Sequence, residues 1–266
     1  MTLRIGIAGA SGRMGQALVE ATLDAVDLTL AAALDVAGGA LVGADAGSRM
    51  GRTTGITVGT DIDAAVAACD VLIDFTRPQG TLAHAAACAS HRTRLVAGTT
   101  GLDAAQKASL ATFAQHVAIV FAPNMSVGVN VLINLVETAA SRLGPAYDIE
   151  VLEMHHRHKI DAPSGTALRL GEAAASGAGV KLESHAVFAR EGVTGERKAG
   201  TIGFATLRGG DVIGEHTVVF AGPGERLELS HRASSRTTFA EGALRAARFV
   251  AGRAPGFYDM ADVLAL

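Results

Sequence analysis

The sequence predicts an α/β protein with a doubly wound parallel sheet, followed by a second, smaller α+β domain built on an open mixed or antiparallel sheet. Short, almost continuously apolar runs alternate with alanine-rich helical stretches up to about residue 125. Beyond that point, polar and apolar residues alternate around glycine-rich turns. Continuous apolar runs are typical of strands buried on both faces of a parallel sheet, whereas alternation is typical of a sheet with one exposed face.

The first part of the chain contains five strand candidates and four helix candidates. The apolar runs lie at 3–8, 28–34, 71–75, 94–98 and 117–121. The helical stretches between them lie at 13–24, 61–68, 79–90 and 103–115. Strand–helix alternation at this spacing indicates βαβ units and therefore a parallel sheet.

The later part of the chain has a different pattern. A strand candidate at 149–156 is followed by one predicted helix near 165–175. Segment 201–233 then alternates polar and apolar residues around "RGGD" and "GPGE" turns, which predicts an antiparallel arrangement. The stretch 237–252 predicts a final helix, with Thr237 or Thr238 as its N-cap.

Composition excludes several classes of protein. Apolar residues make up 49% and charged residues 18% of the 266 residues, which is a globular balance. A net charge of −3 and the lack of Trp argue against nucleic-acid and membrane partners. Cys69 and Cys88 are too few for a disulfide framework and form no CxxC pair. Since we find no signal-peptide pattern and no apolar run of ~20 residues, we expect a soluble cytoplasmic protein.

A glycine-rich segment follows the first predicted strand. Gly9, Gly12 and Gly15 have the spacing G-x-x-G-x-x-G at the start of a predicted helix. Glycine permits a tight turn and a close approach of backbone to a pyrophosphate, and the helix N-terminus adds unpaired N–H groups. Arg13, in the first helical turn, adds a charged contact to phosphate. This segment predicts a dinucleotide site on a Rossmann-like sheet.

The end of the second predicted strand supports the same site. Asp35 lies 20 residues beyond Gly15, which is the separation expected for a carboxylate that binds the adenosine ribose hydroxyls. Val36 offers no cation for the 2′-phosphate of NADPH. The Asp35–Val36 pair therefore favours NADH over NADPH as the cofactor.

Two further loops follow strand candidates. In open α/β sheets, ligands bind beyond the carboxyl ends of the strands. Gly98, Thr99 and Thr100 are therefore candidates to line the nicotinamide half of the cofactor, as is the backbone of 122–125. Each segment taken alone is more typical of an ordinary loop.

Residues 153–167, "EMHHRHKIDAPSGTA", concentrate positive charge. A metal site is disfavoured, because neighbouring residues of an extended strand face opposite sides and the helical HxxxH spacing is absent. A solvated basic loop is one alternative. The functional interpretation is an anion pocket, in which Ser164, Gly165 and Thr166 begin a helix after Pro163 and offer N–H groups and hydroxyls to a carboxylate. With Lys159 and the imidazoles as proton donors, the pocket indicates hydride transfer to an unsaturated, anionic acceptor.

These motifs resemble the 4-hydroxy-tetrahydrodipicolinate reductase (dihydrodipicolinate reductase) family of diaminopimelate and lysine biosynthesis. The segment 153–167 carries the family signature intact. Further matching blocks follow the family order over nearly the whole chain, at 9–15, 74–78, 98–101, 122–131 and 203–236.

The resemblance implies NAD(P)H-dependent reduction of a cyclic dicarboxylate imine to tetrahydrodipicolinate. His155 would donate a proton or stabilise developing charge, and Lys159 would be the second proton donor. Substrate contacts are expected from His156, Ser164, Gly165 and Thr166. Cofactor contacts are expected from Gly9, Ala10, Ser11, Gly12, Arg13, Met14, Asp35, Gly98, Thr99, Thr100, Ala122, Pro123, Asn124 and Met125.

The resemblance also implies a homotetramer assembled through the antiparallel sheet, with the last helix returning to the nucleotide domain. The expected boundaries are 1–126 with 237–266 for the dinucleotide-binding domain and 127–236 for the substrate-binding and oligomerisation domain. One departure concerns the cofactor. Many members carry Arg or Lys after the ribose-binding acid, whereas this chain has Val36, which argues against efficient use of NADPH.

There are two alternatives, a different oxidoreductase on a similar plan and a binding protein from another class. Another two-domain NAD(P)-dependent enzyme, an amino-acid or semialdehyde dehydrogenase, would share the glycine loop. The semialdehyde case requires a catalytic thiol, but Cys69 and Cys88 lie in apolar, helical contexts. A nucleotide-sensing binding protein would keep the glycine loop without needing Lys159 and the histidines at a helix start.

Overall fold

The computed structural model describes residues 2–266, which form two compact units. The first unit comprises residues up to Val127 together with Arg236–Ala265, and the second comprises Gly128–Ser235 with Leu266. Within residues 2–266, no helix is both long and apolar enough to cross a bilayer.

The first unit is built on a seven-stranded sheet whose strand pairs are all parallel. The strand order is β12-β6-β5-β4-β1-β2-β3, so the winding reverses between β1 and β4. In chain-order numbering, its strands are β1 (Leu3–Ala8), β2 (Leu28–Leu34), β3 (Val58–Gly59), β4 (Val71–Asp74), β5 (Arg94–Ala97), β6 (Ala118–Phe121) and β12 (Gly256–Tyr258).

Helices cover both faces of this sheet. They are α1 (Arg13–Asp24), α2 (Ile62–Ala68), α3 (Pro78–His91), α4 (Ala104–Phe113), α8 (Thr237–Ala251) and α9 (Met260–Leu264), with a short 3-10 helix at Ser48–Met50. Ile5 and Ile7 pack into one core with α1 and α8, whereas Ala8 and Leu72 pack into the other with α2 and α3. Burial on both faces explains the continuous apolar strands and confirms the predicted doubly wound sheet.

The second unit contains a five-stranded mixed sheet. Its strands, in the order β11-β10-β7-β9-β8, are β7 (Asp148–His155), β8 (Ala186–Val187), β9 (Ile202–Arg208), β10 (Gly214–Gly222) and β11 (Glu225–Ala233). β10 is antiparallel to both β11 and β7, but β9 runs parallel to β7 and β8. The helices of this part are α5 (Val127–Leu143), α6 (Gly165–Gly177) and α7 (Leu182–His185), with a 3-10 helix at Gly144–Ala146. One sheet face packs against α5 and α6, as an α+β arrangement requires.

Several features differ from the sequence prediction, and two of them concern the long helices α8 and α5. The N-cap of α8 is Arg236, without a side-chain cap, so the prediction of Thr237 or Thr238 was wrong and Thr237 is the first helical residue. Helix α5 has no counterpart among the predicted helices. Its buried residues, Val129, Leu132, Val136 and Ala140, recur on one helical face, but the apolar run that contains them is equally compatible with a strand.

Candidate active site

The inward face of β7 carries two ionisable side chains at its end. Burial alternates along this strand, so that Glu153 and His155 lie on the same, buried side of the sheet as Val151. They are 2% and 8% exposed, respectively. The period of two therefore places a carboxylate beside an imidazole in the protein interior, where each must find a partner.

Glu153 connects three elements of the second unit, β7, β9 and the start of α6. Its Oε2 atom lies 2.5 Å from His155 Nδ1, and its Oε1 accepts the backbone N–H of Ser164 at 3.0 Å. Arg208, at the end of β9, donates to both carboxylate oxygens at 2.8 and 2.9 Å. Burial alone would raise the pKa of Glu153, but these donors outweigh it and hold the pKa below its usual value. Glu153 is therefore an ionised carboxylate in a buried site.

The tautomer of His155 follows from the negative charge of Glu153. An ionised carboxylate accepts hydrogen bonds only, so Nδ1 of His155 carries the proton and donates it to Glu153. Burial lowers the pKa of His155, and the hydrogen bond to Glu153 only partly opposes this. The ring is thus neutral at pH 7, with the lone pair on Nε2. A Cβ at Gly214 would lie 3.0 Å from that nitrogen, so glycine there leaves room for the ring.

A second buried imidazole packs its edge against the first, at an interplanar angle of 75°. The rings of His155 and His216 have centroids 5.1 Å apart and meet edge to face. His216, on β10, is 4% exposed, and burial lowers its pKa to about 4. A hydrogen bond of 3.1 Å joins its Nε2 to the hydroxyl of Ser164. His216 is therefore also neutral at pH 7.

Ser164 connects this buried cluster to the start of α6. It is the N-cap of that helix, and its hydroxyl accepts the N–H of Ala167 at 3.2 Å. Gly165 is exposed, and a Cβ there would meet no atom within 4 Å. The first turn of α6 thus begins beside open space at Gly165, while its Ala167 N–H is capped by Ser164, and such a helix start suits an anion.

The basic cluster of 155–159 is divided by the turn that follows β7. Arg157 and His158 are exposed, which makes them the solvated residues of the segment. Lys159 is partly buried, and its Nζ lies 2.8 Å from Asp161 Oδ1. The backbone oxygen of Asp161 in turn accepts from Arg208 at 2.6 Å. Hydrogen bonds therefore connect Lys159 to the carboxylate that holds His155, and the simple solvated-loop alternative does not describe this segment.

The glycine loop of the first unit packs backbone against backbone. Gly9 has a φ of +75°, and a Cβ at Gly15 would lie only 2.1 Å from the carbonyl oxygen of Gly9. The N-cap of α1 is Gly12, which forms no side-chain cap, and the first turn contains no acidic residue. Nearby, a Cβ at Gly9 would lie 3.0 Å from Thr76, whose buried hydroxyl has no hydrogen-bond partner among residues 2–266. An uncapped helix start and an unpaired hydroxyl fit a bound pyrophosphate.

Asp35 lies against this loop, as its position in the sequence predicts. Its Oδ2 accepts the N–H of Ser11 at 2.8 Å, and its Oδ1 accepts the N–H of Val36 at the same distance. Val36 is 75% exposed. The structure therefore brings the acidic residue and the glycine loop together, with the carboxylate fixed by two backbone donors.

The other predicted cofactor residues differ in which of their groups are exposed and which are buried or hydrogen-bonded. The Thr99 hydroxyl is buried and bonds the Thr81 hydroxyl at 2.6 Å, whereas Thr100 is exposed. Met125 is fully buried in the core, backbone included, and its carbonyl oxygen packs against Gly242, whereas Met14 packs only partly against the same core. The remaining residues of these loops are buried Gly98 and Ala122, exposed Pro123, and Asn124, whose side-chain oxygen accepts from Ser126 N.

The sequence patterns did not identify several residues of these sites. Glu153, Arg208 and His216 were not singled out, although Glu153 begins the conspicuous segment 153–167. A period-two count along β7 would have placed Glu153 beside His155, but no local pattern joins Arg208 or His216 to them. Residues 2–266 contain no cluster of three His, Cys, Asp or Glu side chains arranged for a metal.

The two cysteine thiols are buried and are not suited to act as catalytic nucleophiles. Burial raises the pKa of Cys69 to about 12 and raises that of Cys88 well above its ordinary value. A thiol in that state is not a nucleophile at neutral pH. This argues against the semialdehyde dehydrogenase alternative.

Comparison with known proteins covers the whole chain. Residues 3–125 match the family model for the dihydrodipicolinate reductase N-terminus, and residues 128–264 match the model for its C-terminus. The chain is 58% identical to the 4-hydroxy-tetrahydrodipicolinate reductase of Thiobacillus denitrificans over 100% of both proteins. It is 55% identical to that of Janthinobacterium sp. (strain Marseille), covering 99% of this chain and 98% of the relative.

A solved structure extends this similarity to three dimensions. The dipicolinate-bound dihydrodipicolinate reductase from Paenisporosarcina sp. TG-14 is 25% identical, with a TM-score of 0.79, and the match covers 98% of this chain and 99% of that one. An amine dehydrogenase from Mycobacterium smegmatis, 13% identical with a TM-score of 0.62, shares the fold alone. The family predicted from the sequence is confirmed: the chain belongs to the dihydrodipicolinate reductase family.

Proposed function

We propose that this chain reduces 4-hydroxy-tetrahydrodipicolinate to tetrahydrodipicolinate with NADH or NADPH, in the biosynthesis of diaminopimelate and lysine. In this reaction the substrate loses water, gains a hydride and takes up a proton. The observation that carries the proposal is the Glu153–His155–Ser164–His216 cluster at the start of α6, with Lys159 connected to it through Asp161 and Arg208. Full-length relatives bearing this reductase name support it.

The substrate is a dianion, and the second unit supplies matching groups. The first turn of α6 offers the N–H groups of Gly165 and Thr166 with the Thr166 hydroxyl, at the positive end of a helix dipole. His156 adds an imidazole whose buried Nδ1 has no hydrogen-bond partner within residues 2–266. These donors bind one carboxylate, while the nearby Lys159 provides positive charge. Ser164 is occupied by His216 and Ala167, so we assign it mainly to holding the start of the helix.

The cofactor fits the first unit. Gly9, Ala10, Gly12, Arg13 and Met14 surround the uncapped start of α1 and hold the pyrophosphate, while Ser11 and Asp35 hold the adenosine ribose. The loops at 98–100 and 122–125 contribute backbone groups to the nicotinamide half. When bound, the reduced nicotinamide supplies the hydride.

Protonation falls mainly to Lys159. Hydride addition leaves negative charge on the ring, which a cation stabilises and a proton removes. The resting His155 is neutral with its lone pair on Nε2, so it donates from that nitrogen only after gaining a proton. A bound dianion raises the pKa of a nearby imidazole. We therefore propose that Lys159 is the proton donor and that His155 stabilises developing charge once the substrate is present.

Glu153 acts in this scheme as a positioning residue. Its carboxylate fixes the tautomer and ring orientation of His155 and accepts the N–H of the N-cap Ser164. Arg208 holds it through two hydrogen bonds. A single buried charge thus aligns the imidazole with the helix start.

The quaternary structure and location are further parts of the proposal. We propose a cytoplasmic homotetramer assembled through the mixed sheet. β11 is an edge strand of that sheet, with Leu227 40% exposed. A long edge strand with exposed apolar side chains is a site for pairing with another chain. Sedimentation of the purified protein measures this directly, and a monomer would contradict it.

The test of the activity is a spectrophotometric assay. Oxidation of NADH and of NADPH is followed by the loss of reduced-nicotinamide absorbance, with substrate freshly generated by the preceding synthase. We expect cofactor oxidation that depends on the synthase product and stoichiometric formation of tetrahydrodipicolinate. Cofactor binding without any turnover of this substrate would overturn the proposal.

A further inference from the structure

The loop after β2 folds back onto the glycine loop. The N–H of Leu41 donates to the Ser11 hydroxyl at 3.1 Å, and the side-chain amide of Gln16, in α1, lies 3.5 Å from the carbonyl oxygen of Ala46 in this loop. Asp45 stabilises the loop from within, because its carboxylate accepts from the backbones of Gly47, Thr54 and Gly55. These bonds place the 3-10 helix at Ser48–Met50 beside the site where the adenosine ribose is proposed to bind.

Arg49, in that short helix, reaches the same glycine-loop residue as Asp35. Its Nη1 donates to the carbonyl of Ser11 at 3.1 Å, while the N–H of Ser11 donates to Asp35 at 2.8 Å. The guanidinium and the ribose-binding carboxylate are thus both anchored on Ser11. Arg49 is exposed, and a guanidinium with one donor used still has four to offer an anion.

The neighbouring arginine of the loop is occupied differently. Arg52 donates to Asp24 at 2.6 Å and its charge is balanced there. The hydrogen bond of Arg49 leads to a neutral carbonyl, which leaves its positive charge available at the glycine loop. Val36, directly after Asp35, carries no charge. The positive charge near Asp35 comes instead from Arg49, which lies fourteen positions further along the chain (49 − 35) and bonds Ser11.

We propose that Arg49 binds the 2′-phosphate of NADPH. Arg49 would thereby supply the positive charge that the uncharged Val36 lacks, and with it affinity for NADPH. The proposal rests on the proposed function, in which Asp35 holds the ribose. The 2′-phosphate replaces one of the hydroxyls expected at Asp35, so it falls next to that carboxylate and needs a compensating cation. Arginine suits this role because its planar donors match phosphate oxygens two at a time.

The test compares Arg49→Ala with the matched control Arg52→Ala. Isothermal titration calorimetry measures the Kd of each protein for NADPH, for NADH, and for adenosine 2′,5′-bisphosphate against 5′-AMP. Loss of a charged hydrogen-bonded contact is expected to weaken NADPH and the bisphosphate by about 10- to 100-fold in Arg49→Ala. The Kd for NADH should change less than about threefold in that variant, because Arg49 is directed at the phosphate.

The expected pattern has two further signatures. Arg52→Ala should leave the ratio of the NADPH and NADH dissociation constants unchanged. The NADPH preference that Arg49 provides should also weaken as salt rises, since screening acts on an exposed charge pair.

Two outcomes would overturn the assignment. In the first, Arg49→Ala weakens NADH and NADPH equally, which would mean that Arg49 only supports the loop. In the second, neither Kd changes. Both leave the reductase proposal intact if the unaltered protein binds and oxidises either cofactor, whereas an unaltered protein that binds neither would overturn both proposals.

Discussion

The candidate sites of the two units differ in the groups that form them, which are mainly backbone in the first unit and buried side chains in the second. In the first, the glycine loop presents backbone, and the acidic side chain against it, Asp35, is itself held by two backbone N–H groups. In the second, four side chains that are at most 8% exposed, Glu153, His155, Ser164 and His216, form one hydrogen-bonded cluster. A site made of backbone tolerates changes of side chain but not of glycine, whereas a site made of buried charge depends on the partner of every group.

The largest effect expected from this contrast is on turnover. Lys159→Ala removes the proposed proton donor and should lower kcat by about 10²- to 10⁴-fold. The Kd for NADPH should stay unchanged, since the cofactor is proposed to bind the first unit. Steady-state kinetics and calorimetry measure the two quantities, and exposed Lys198→Ala serves as the control. A Lys159→Ala enzyme with normal kcat would remove Lys159 from the mechanism.

The next effect is the response of stability to pH. His216 stays neutral in the folded protein down to a pKa of about 4, whereas in the unfolded chain it gains a proton near 6.5. The unfolded state therefore binds more protons between these values, and stability falls as the pH drops from 6.5 towards 4, by about 3 kcal/mol for this group.

His216→Gln should flatten that part of the curve. Urea denaturation at several values between pH 7 and pH 4 measures the free energy of unfolding, with exposed His158→Gln as the control. An unchanged slope in His216→Gln would show that the buried ring does not produce the acid sensitivity.

A smaller change is expected when the carboxylate at the centre of the buried cluster is neutralised. Glu153→Gln keeps the shape of the side chain but removes the charge that favours the protonated imidazole. We expect kcat to fall about 10- to 100-fold and the pKa of His155 to move lower still. NMR titration of His155 measures the second effect, which loss of folding alone would not produce.

Glu153→Asp provides the conservative comparison. It restores the charge, although on a shorter side chain, and should recover part of both the rate and the His155 pKa. If Glu153→Gln lowered kcat while His155 titrated as before, the positioning role would be wrong.

The smallest expected effect tests the backbone site. Gly15→Ala adds a methyl group where a Cβ would lie 2.1 Å from the Gly9 oxygen, so the loop must shift, at a cost of about 1–3 kcal/mol. NADH and NADPH should both bind more weakly, because the pyrophosphate site is common to them. Gly252→Ala is the control, since a Cβ there meets nothing within 4 Å. Thermal unfolding and calorimetry distinguish a lost fold from a lost site.

The sequence predicted the first unit better than the second for a physical reason. Parallel strands buried on both faces are continuous apolar runs, and β1 and β2 have the predicted bounds 3–8 and 28–34. The mixed sheet was harder, because alternation along β9 does not reveal that it runs parallel to β7. Helix α5 was missed because its apolar residues suit either a strand or a helix.

By itself, the sequence determined the fold class, the glycine loop with Asp35, the conspicuous segment 153–167 and the resemblance to the family. These depend on local spacing, which the chain displays directly. Only the tertiary structure decided that Arg208 and His216 join Glu153 and His155, and that Arg49 shares Ser11 with Asp35. Those contacts join residues distant in sequence, and the burial that shifts the pKa values of His155 and His216 exists only once the strands are paired and packed.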